Sequence, residues 1–132
     1  MIKEIEITIP FYDVDSMRVV YHGNYVKYFE DARCAYLLDK GMSYNDMEKM
    51  GYLFPVVEMK AKYIKPCVFG QKIIVACELV NCENFLTFRY EIRDKKTSVR
   101  ICKAETKQMC VDIKTMGAFY VMPMDVVEKL KD

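Results

Sequence analysis

The sequence predicts an α+β fold in which one curved antiparallel sheet wraps around a long central helix. Three observations predict it. The chain opens with an alternating strand. A helical run over residues 24–40 is apolar around most of its circumference. After Gly51 the chain reads as consecutive strands with short polar turns, almost to its end. A helix that apolar has to be enclosed by other elements, and a sheet curling about it is the simplest enclosure.

The first strand is expected over residues 2–9, with Ile5, Ile7 and Ile9 on one face and Glu4, Glu6 and Thr8 on the other. Pro10 ends it, because proline has no N–H to give a ladder. A loop from Phe11 to Gly23 follows, and Asn24 suits the N-cap of the central helix. Tyr25, Tyr28, Phe29, Ala32 and Tyr36 make that helix apolar, and only Lys27, Glu30, Asp31 and Cys34 form a polar stripe. Ser43 and Asp46 stand at capping-box spacing at the start of a short helix over residues 43–50.

Strands are then expected over residues 52–64, over the stretch containing Ile73, Val75, Cys77 and Leu79, and over the stretch containing Phe88, Tyr90 and Ile92. Turns at residues 81–84 and 94–97 separate them. Residues 98–113 form a long strand whose apolar phase switches from odd to even positions and back, which requires a bulge or burial on both faces. A short helix over residues 123–130 begins on a proline.

Composition bounds the function. A chain of 132 residues is expected to form a single domain, residues 1–132, with a core of useful size. Twenty basic against nineteen acidic side chains leave a net charge of +1, which points to no nucleic-acid or acidic-membrane partner. No apolar run reaches the ~18 residues that span a bilayer. The six cysteines show no C-x-x-C pair, and the chain has one histidine, so they read as small buried apolar residues of a cytoplasmic protein.

Chemistry concentrates in residues 11–25. Asp13 and Asp15 sit in the loop after the first strand, and His22 stands where the long helix begins. A carboxylate beside the free amides of a helix start is equipped to attack a carbonyl and to hold the negative charge that develops on its oxygen. The same D-x-D pattern also serves ordinary turns, in which aspartates accept from nearby amides.

The segment Tyr12-Asp13-Val14-Asp15, three further residues, then Val19-Val20-Tyr21-His22-Gly23-Asn24-Tyr25, resembles the 4-hydroxybenzoyl-CoA thioesterase family of hotdog-fold enzymes. The likeness is strongest to its YbgC-like acyl-CoA thioesterase branch. Glu30, Ala32 and Arg33 continue that pattern, and Tyr63, Pro66 and Gly70 resemble its second signature. The resemblance implies hydrolysis of an acyl-CoA thioester in a homodimer or homotetramer, without a separate cofactor, since coenzyme A belongs to the substrate. It implies Asp15 as the catalytic carboxylate, the backbone amide of His22 as the carbonyl-polarising donor, and the His22 side chain as a second catalytic group. Asp15 attacks directly or activates a water; both routes stay open.

Tyr12, Arg18, Gly23 and Asn24 are the candidate substrate contacts, with packing the competing role of Tyr12 and helix capping that of Asn24. Arg18 departs from the family, which commonly has glycine there. It either crowds the site, pairs with Asp13, or recognises an anionic group on the substrate. Lys60, Lys62, Lys65 and Lys72 are candidates for the carrier's phosphates. An acyl-carrier-protein thioesterase and a non-catalytic acyl-CoA-binding protein are the alternative readings.

Overall fold

The computed structural model describes residues 1–132. Strand β1 (Ile2–Thr8) precedes the long helix α1 (Tyr25–Asp39) and the short helix α2 (Tyr44–Met50). Then come β2 (Tyr52–Leu53), β3 (Val56–Tyr63), β4 (Lys72–Asn81), β5 (Leu86–Asp94), β6 (Arg100–Gln108), β7 (Cys110–Asp112), β8 (Ala118–Phe119) and helix α3 (Met124–Leu130). Five strands form one antiparallel sheet in the order β1-β4-β5-β6-β3, and β2-β7-β8 form a small second sheet.

Helix α1 lies against β4 and β1. It buries Tyr25, Tyr28, Phe29, Ala32, Tyr36 and Leu37 on the inner face of the sheet, opposite Ile73, Val75, Cys77, Phe88, Tyr90 and Ile92. Ring contacts tie the two layers: Phe29 to Tyr90 at 5.0 Å and Tyr36 to Phe88 at 5.4 Å between centroids. Burial of side chains this large contributes most of the cohesion between helix and sheet.

The strands expected around Ile73–Leu79 and Phe88–Ile92 are present, and so are their turns. Glu83 N–H donates to the Asn81 side chain at 2.8 Å. The Asp94 carboxylate accepts from the amides of Lys96 and Thr97 at 3.0 and 2.8 Å. The Ser43–Asp46 capping box of α2 also forms, and Gly51 ends that helix at φ +90°.

Four expectations need correction. Residues 52–64 are two strands in different sheets, because Pro55 interrupts them and Phe54 turns inward. The 98–113 run is also two strands: β6 carries an irregularity beside Ile101 that sets its buried residues on even positions, and the chain breaks at Met109 before β7. Strand β8 was not anticipated; its two residues gain their partners from β7 alone. Finally, Val26 and Leu38, expected to be enclosed, are 40% and 63% exposed, on the flank of α1 that carries Lys27, Glu30 and Asp31.

Arg33 corrects the picture of the helix in the other direction. It is buried, and its Nη1 donates to the Tyr90 hydroxyl at 3.1 Å, which in turn bonds Thr106 at 2.7 Å. A buried guanidinium is tolerable only with such partners. Of the cysteines, Cys67, Cys77, Cys102 and Cys110 are buried, and burial pushes the Cys77, Cys102 and Cys110 thiols up to about 12.

Candidate active site

The loop between β1 and α1 is a compact hairpin-like unit. Pro10 leads into a single 3-10 turn, Phe11–Asp13. Val14 then forms an antiparallel bridge to Val20, Asp15 N–H donates to the Val19 carbonyl at 2.9 Å, and Arg18 N–H donates to the Asp15 carbonyl at 2.9 Å. Val20 N–H reaches the Cys67 carbonyl at 2.9 Å, which fastens this loop to the segment after β3. Phe11 packs edge-on against Phe69 of that segment at 5.6 Å.

Asp15 sits at the tip of this unit, half-buried. One carboxylate oxygen accepts from Met17 N–H at 2.8 Å, an aspartate turn of the ordinary kind. The other oxygen carries no hydrogen bond and is free for a substrate or a water.

Arg18 has φ +67°, in the left-handed region that glycine enters at least cost. Glycine, which the family resemblance implies at this place, would hold this conformation at less cost; here arginine holds it. The suggested Arg18–Asp13 pairing does not form: Arg18 is exposed, and Asp13 is committed elsewhere.

Asp13 is only 3% exposed. Its carboxylate accepts from Lys27 Nζ at 2.6 Å and from the Tyr28 hydroxyl at 2.6 Å. Burial alone would raise its pKa, but the bonds from Lys27 and Tyr28 and the Lys27 charge outweigh that and hold the carboxyl below its usual value. The Tyr28 phenol is pushed up, first by burial and then by this carboxylate, so it stays a donor.

A second 3-10 turn, His22–Asn24, runs directly into α1. Asn24 N–H donates to the Tyr21 carbonyl at 2.8 Å and Tyr25 N–H to the His22 carbonyl, whereas the amides of His22 and Gly23 have no partner in the chain. They are the open donors of a helix start. A Cβ on Gly23 would meet the edge of the half-exposed Tyr21 ring at 2.6 Å, so that ring would have to turn aside. The Tyr21 ring lies 4.4 Å from the exposed His22 imidazole. The hydroxyl of Tyr63, at the end of β3, donates to the His22 carbonyl at 3.3 Å.

Asn24 does not cap the helix with its side chain. Its backbone is already helical, and its Nδ2 donates to the Asp13 carbonyl at 2.9 Å. That bond uses one N–H of the amide; its second N–H and its Oδ1 carry no hydrogen bond. Tyr12 is exposed beside Lys27, whose Nζ lies 5.8 Å from the ring, and both line a polar cavity of about 440 Å³ with Asp13, Tyr28, Glu30 and Asp31.

The structure thus brings Asp15, His22 and Gly23 into one folded unit. It leaves Arg18 at the exposed tip and uses Asn24 inside the scaffold. Lys60 and Lys62 project from the outer face of the sheet, with Arg89, Arg100 and Lys103, whereas Tyr63 next to them turns toward His22. From the sequence, Lys27 belongs to the polar stripe of the helix and Tyr63 to the second signature, and neither position gives it a part in the site.

The profile of the thioesterase-like superfamily matches residues 9–130. The chain belongs to that family. It is 35% identical to the Bacillus subtilis protein YneP, provisionally named an acyl-CoA thioesterase, across 84% of this chain and 80% of that one. The crystal structure of a DHNA-CoA thioesterase from Staphylococcus aureus superposes with a TM-score of 0.82 at 30% identity, over 90% of this chain and 80% of that one. A 4-hydroxybenzoyl CoA thioesterase structure superposes with a TM-score of 0.86 at 13% identity, over 98% of this chain and 99% of the other, and so shares the hotdog fold. Its family makes this protein a thioester hydrolase.

Proposed function

We propose that the protein hydrolyses an acyl-CoA thioester to the free acid and coenzyme A, with Asp15 as the carboxylate that drives the reaction. The observation that carries this reading is the pairing, in one short loop, of a free Asp15 oxygen with two unpartnered amides at the start of α1. The family relationship supports thioester chemistry, and the name of YneP supports the coenzyme A carrier.

The thioester carbonyl oxygen would sit on the His22 and Gly23 amides. Charge accumulating there as the carbonyl is attacked is stabilised by fixed donors that need no reorganisation. Asp15 either attacks the carbonyl carbon, expelling the coenzyme A thiolate and leaving a mixed anhydride that water hydrolyses, or takes a proton from the attacking water. The His22 imidazole would give a proton to the departing sulfur; its exposure at the start of α1 supports that role.

A homodimer, or a homotetramer built as a dimer of dimers, completes this reading. Strand β3 is a free edge of the sheet and exposes Val56, Val57, Met59 and Tyr63, and one flank of α1 is uncovered. The buried free cysteines suit a reducing, cytoplasmic setting.

The test is turnover of short, medium, long and aromatic acyl-CoAs, followed by chromatography so that native thiols do not interfere. The same acyl groups on acyl-carrier protein run alongside. Hydrolysis of the CoA esters supports the reading. Hydrolysis of the carrier-protein esters alone, or binding with no turnover, overturns it in favour of one of the two alternatives.

A further inference from the structure

We propose that Asp13, Asn24 and Lys27 act as positioning residues, a strap that holds the Asp15 loop in register with the open amides of α1. The inference rests on the thioesterase reading above and extends it to groups that never touch the substrate.

Four hydrogen bonds converge on Asp13 from the opening of the helix. Tyr21 N–H and Asn24 Nδ2 donate to its carbonyl at 3.0 and 2.9 Å, while Lys27 and Tyr28 take its two carboxylate oxygens, each at 2.6 Å. The donors bracket His22 and Gly23 in the chain, and the acceptor lies two residues before Asp15. Any slip of Asp13 against α1 is therefore a slip of the carboxylate against the oxyanion donors. The other bonds of the Asp15 turn, such as Asp15 N–H to Val19 and Met17 N–H to the Asp15 carboxylate, hold its own shape, and Val20 N–H ties it to Cys67; among the bonds to the opening of α1, those on Asp13 set its register.

The chemistry of Asn24 separates this role from ordinary capping. A cap accepts a hydrogen bond from the first helical amides. Asn24 instead donates, to a carbonyl outside the helix. Aspartate at this place would be as good a cap and could not donate. Lys27 likewise stands on an exposed turn of the helix, where a lysine usually reaches water, yet it is bound to a buried carboxylate.

Asn24→Ala, Asn24→Asp and Lys27→Met are compared with wild type for kcat and KM on the best acyl-CoA, with Lys27→Arg as the conservative rescue. Hydrogen exchange over residues 11–24 is followed by mass spectrometry in the same proteins. We expect kcat to fall about tenfold to a hundredfold in the first three variants with KM within about threefold, because a small misplacement of reacting groups acts on the chemical step. Lys27→Arg recovers most of the loss. Exchange in the loop accelerates while β4 and β5 stay protected.

If Asn24→Asp keeps wild-type kcat, the donation from Asn24 plays no part in positioning and the proposal is overturned. Unchanged loop exchange in both Asn24→Ala and Lys27→Met also overturns it, whether or not the enzyme turns over. A wild type that hydrolyses no acyl-CoA refutes the functional reading instead, and the exchange data still decide the strap.

Discussion

Replacing Arg18 with glycine isolates the backbone cost of the loop. Arg18 holds φ +67° with an exposed side chain and no ion pair. The left-handed conformation costs a residue with a Cβ ~1–2 kcal/mol, and glycine avoids that cost but gives up ~0.5–1 kcal/mol in the greater freedom of its unfolded chain. The net expectation is a gain of about 0.5–1 kcal/mol. For a chain of this length that is a rise in Tm of roughly 1–4 °C by calorimetry at fixed protein concentration. Arg18→Ala removes the same guanidinium but keeps the Cβ, so its Tm should stay near wild type. If both variants lose stability equally, the side chain and not the backbone decides, and the reasoning fails. The acyl-CoA profile of Arg18→Gly separately tests recognition of an anionic substrate group: an unchanged profile removes that role.

Gly23→Ala should impair turnover while costing less than about 1 kcal/mol, since its Cβ meets the half-exposed Tyr21 ring at 2.6 Å and turns it off His22; kcat and urea midpoints check both effects. Asp13→Asn should be destabilising at neutral pH, because Lys27 and Tyr28 lose an ionised partner. The sign of its pH dependence follows from the depressed carboxyl: the stability it confers is complete above the ordinary value of ~3.9 and is lost as pH falls through the lower folded value. The gap between wild type and Asp13→Asn should therefore close below about pH 4, and a gap that stays constant from pH 7 to 3 would refute the assignment.

The sheet was legible where one face is dry and the other wet. In β4 and β5 the alternation of Ile73, Val75 and Cys77, and of Phe88, Tyr90 and Ile92, is the alternation of burial itself. It was illegible where local and tertiary demands compete. Pro55 lies inside a run that alternates acceptably on both sides, and only the change of sheet shows that it is a break. Asn24 has the chemistry of a cap, so its donation to a distant carbonyl could not be read from spacing. Lys60 and Lys62 adjoin the signature residue Tyr63 in sequence but lie on the outer face, because successive strand residues point to opposite sides. The loop carrying Asp15 and His22 was legible as a unit through its motif, whereas the hydrogen bonds that hold it, centred on Asp13, needed the fold.

The most direct test of the central claim is a comparison of wild type and Asp15→Asn on the acyl-CoA that wild type hydrolyses fastest, with acyl-CoA binding measured on both proteins. Loss of the carboxylate should reduce kcat by ~10²–10⁴, the range a positioned acid–base group contributes, while affinity for the thioester is retained. An Asp15→Asn protein that binds and hydrolyses at the wild-type rate would contradict the account, and the reacting carboxylate would have to be sought elsewhere in the chain.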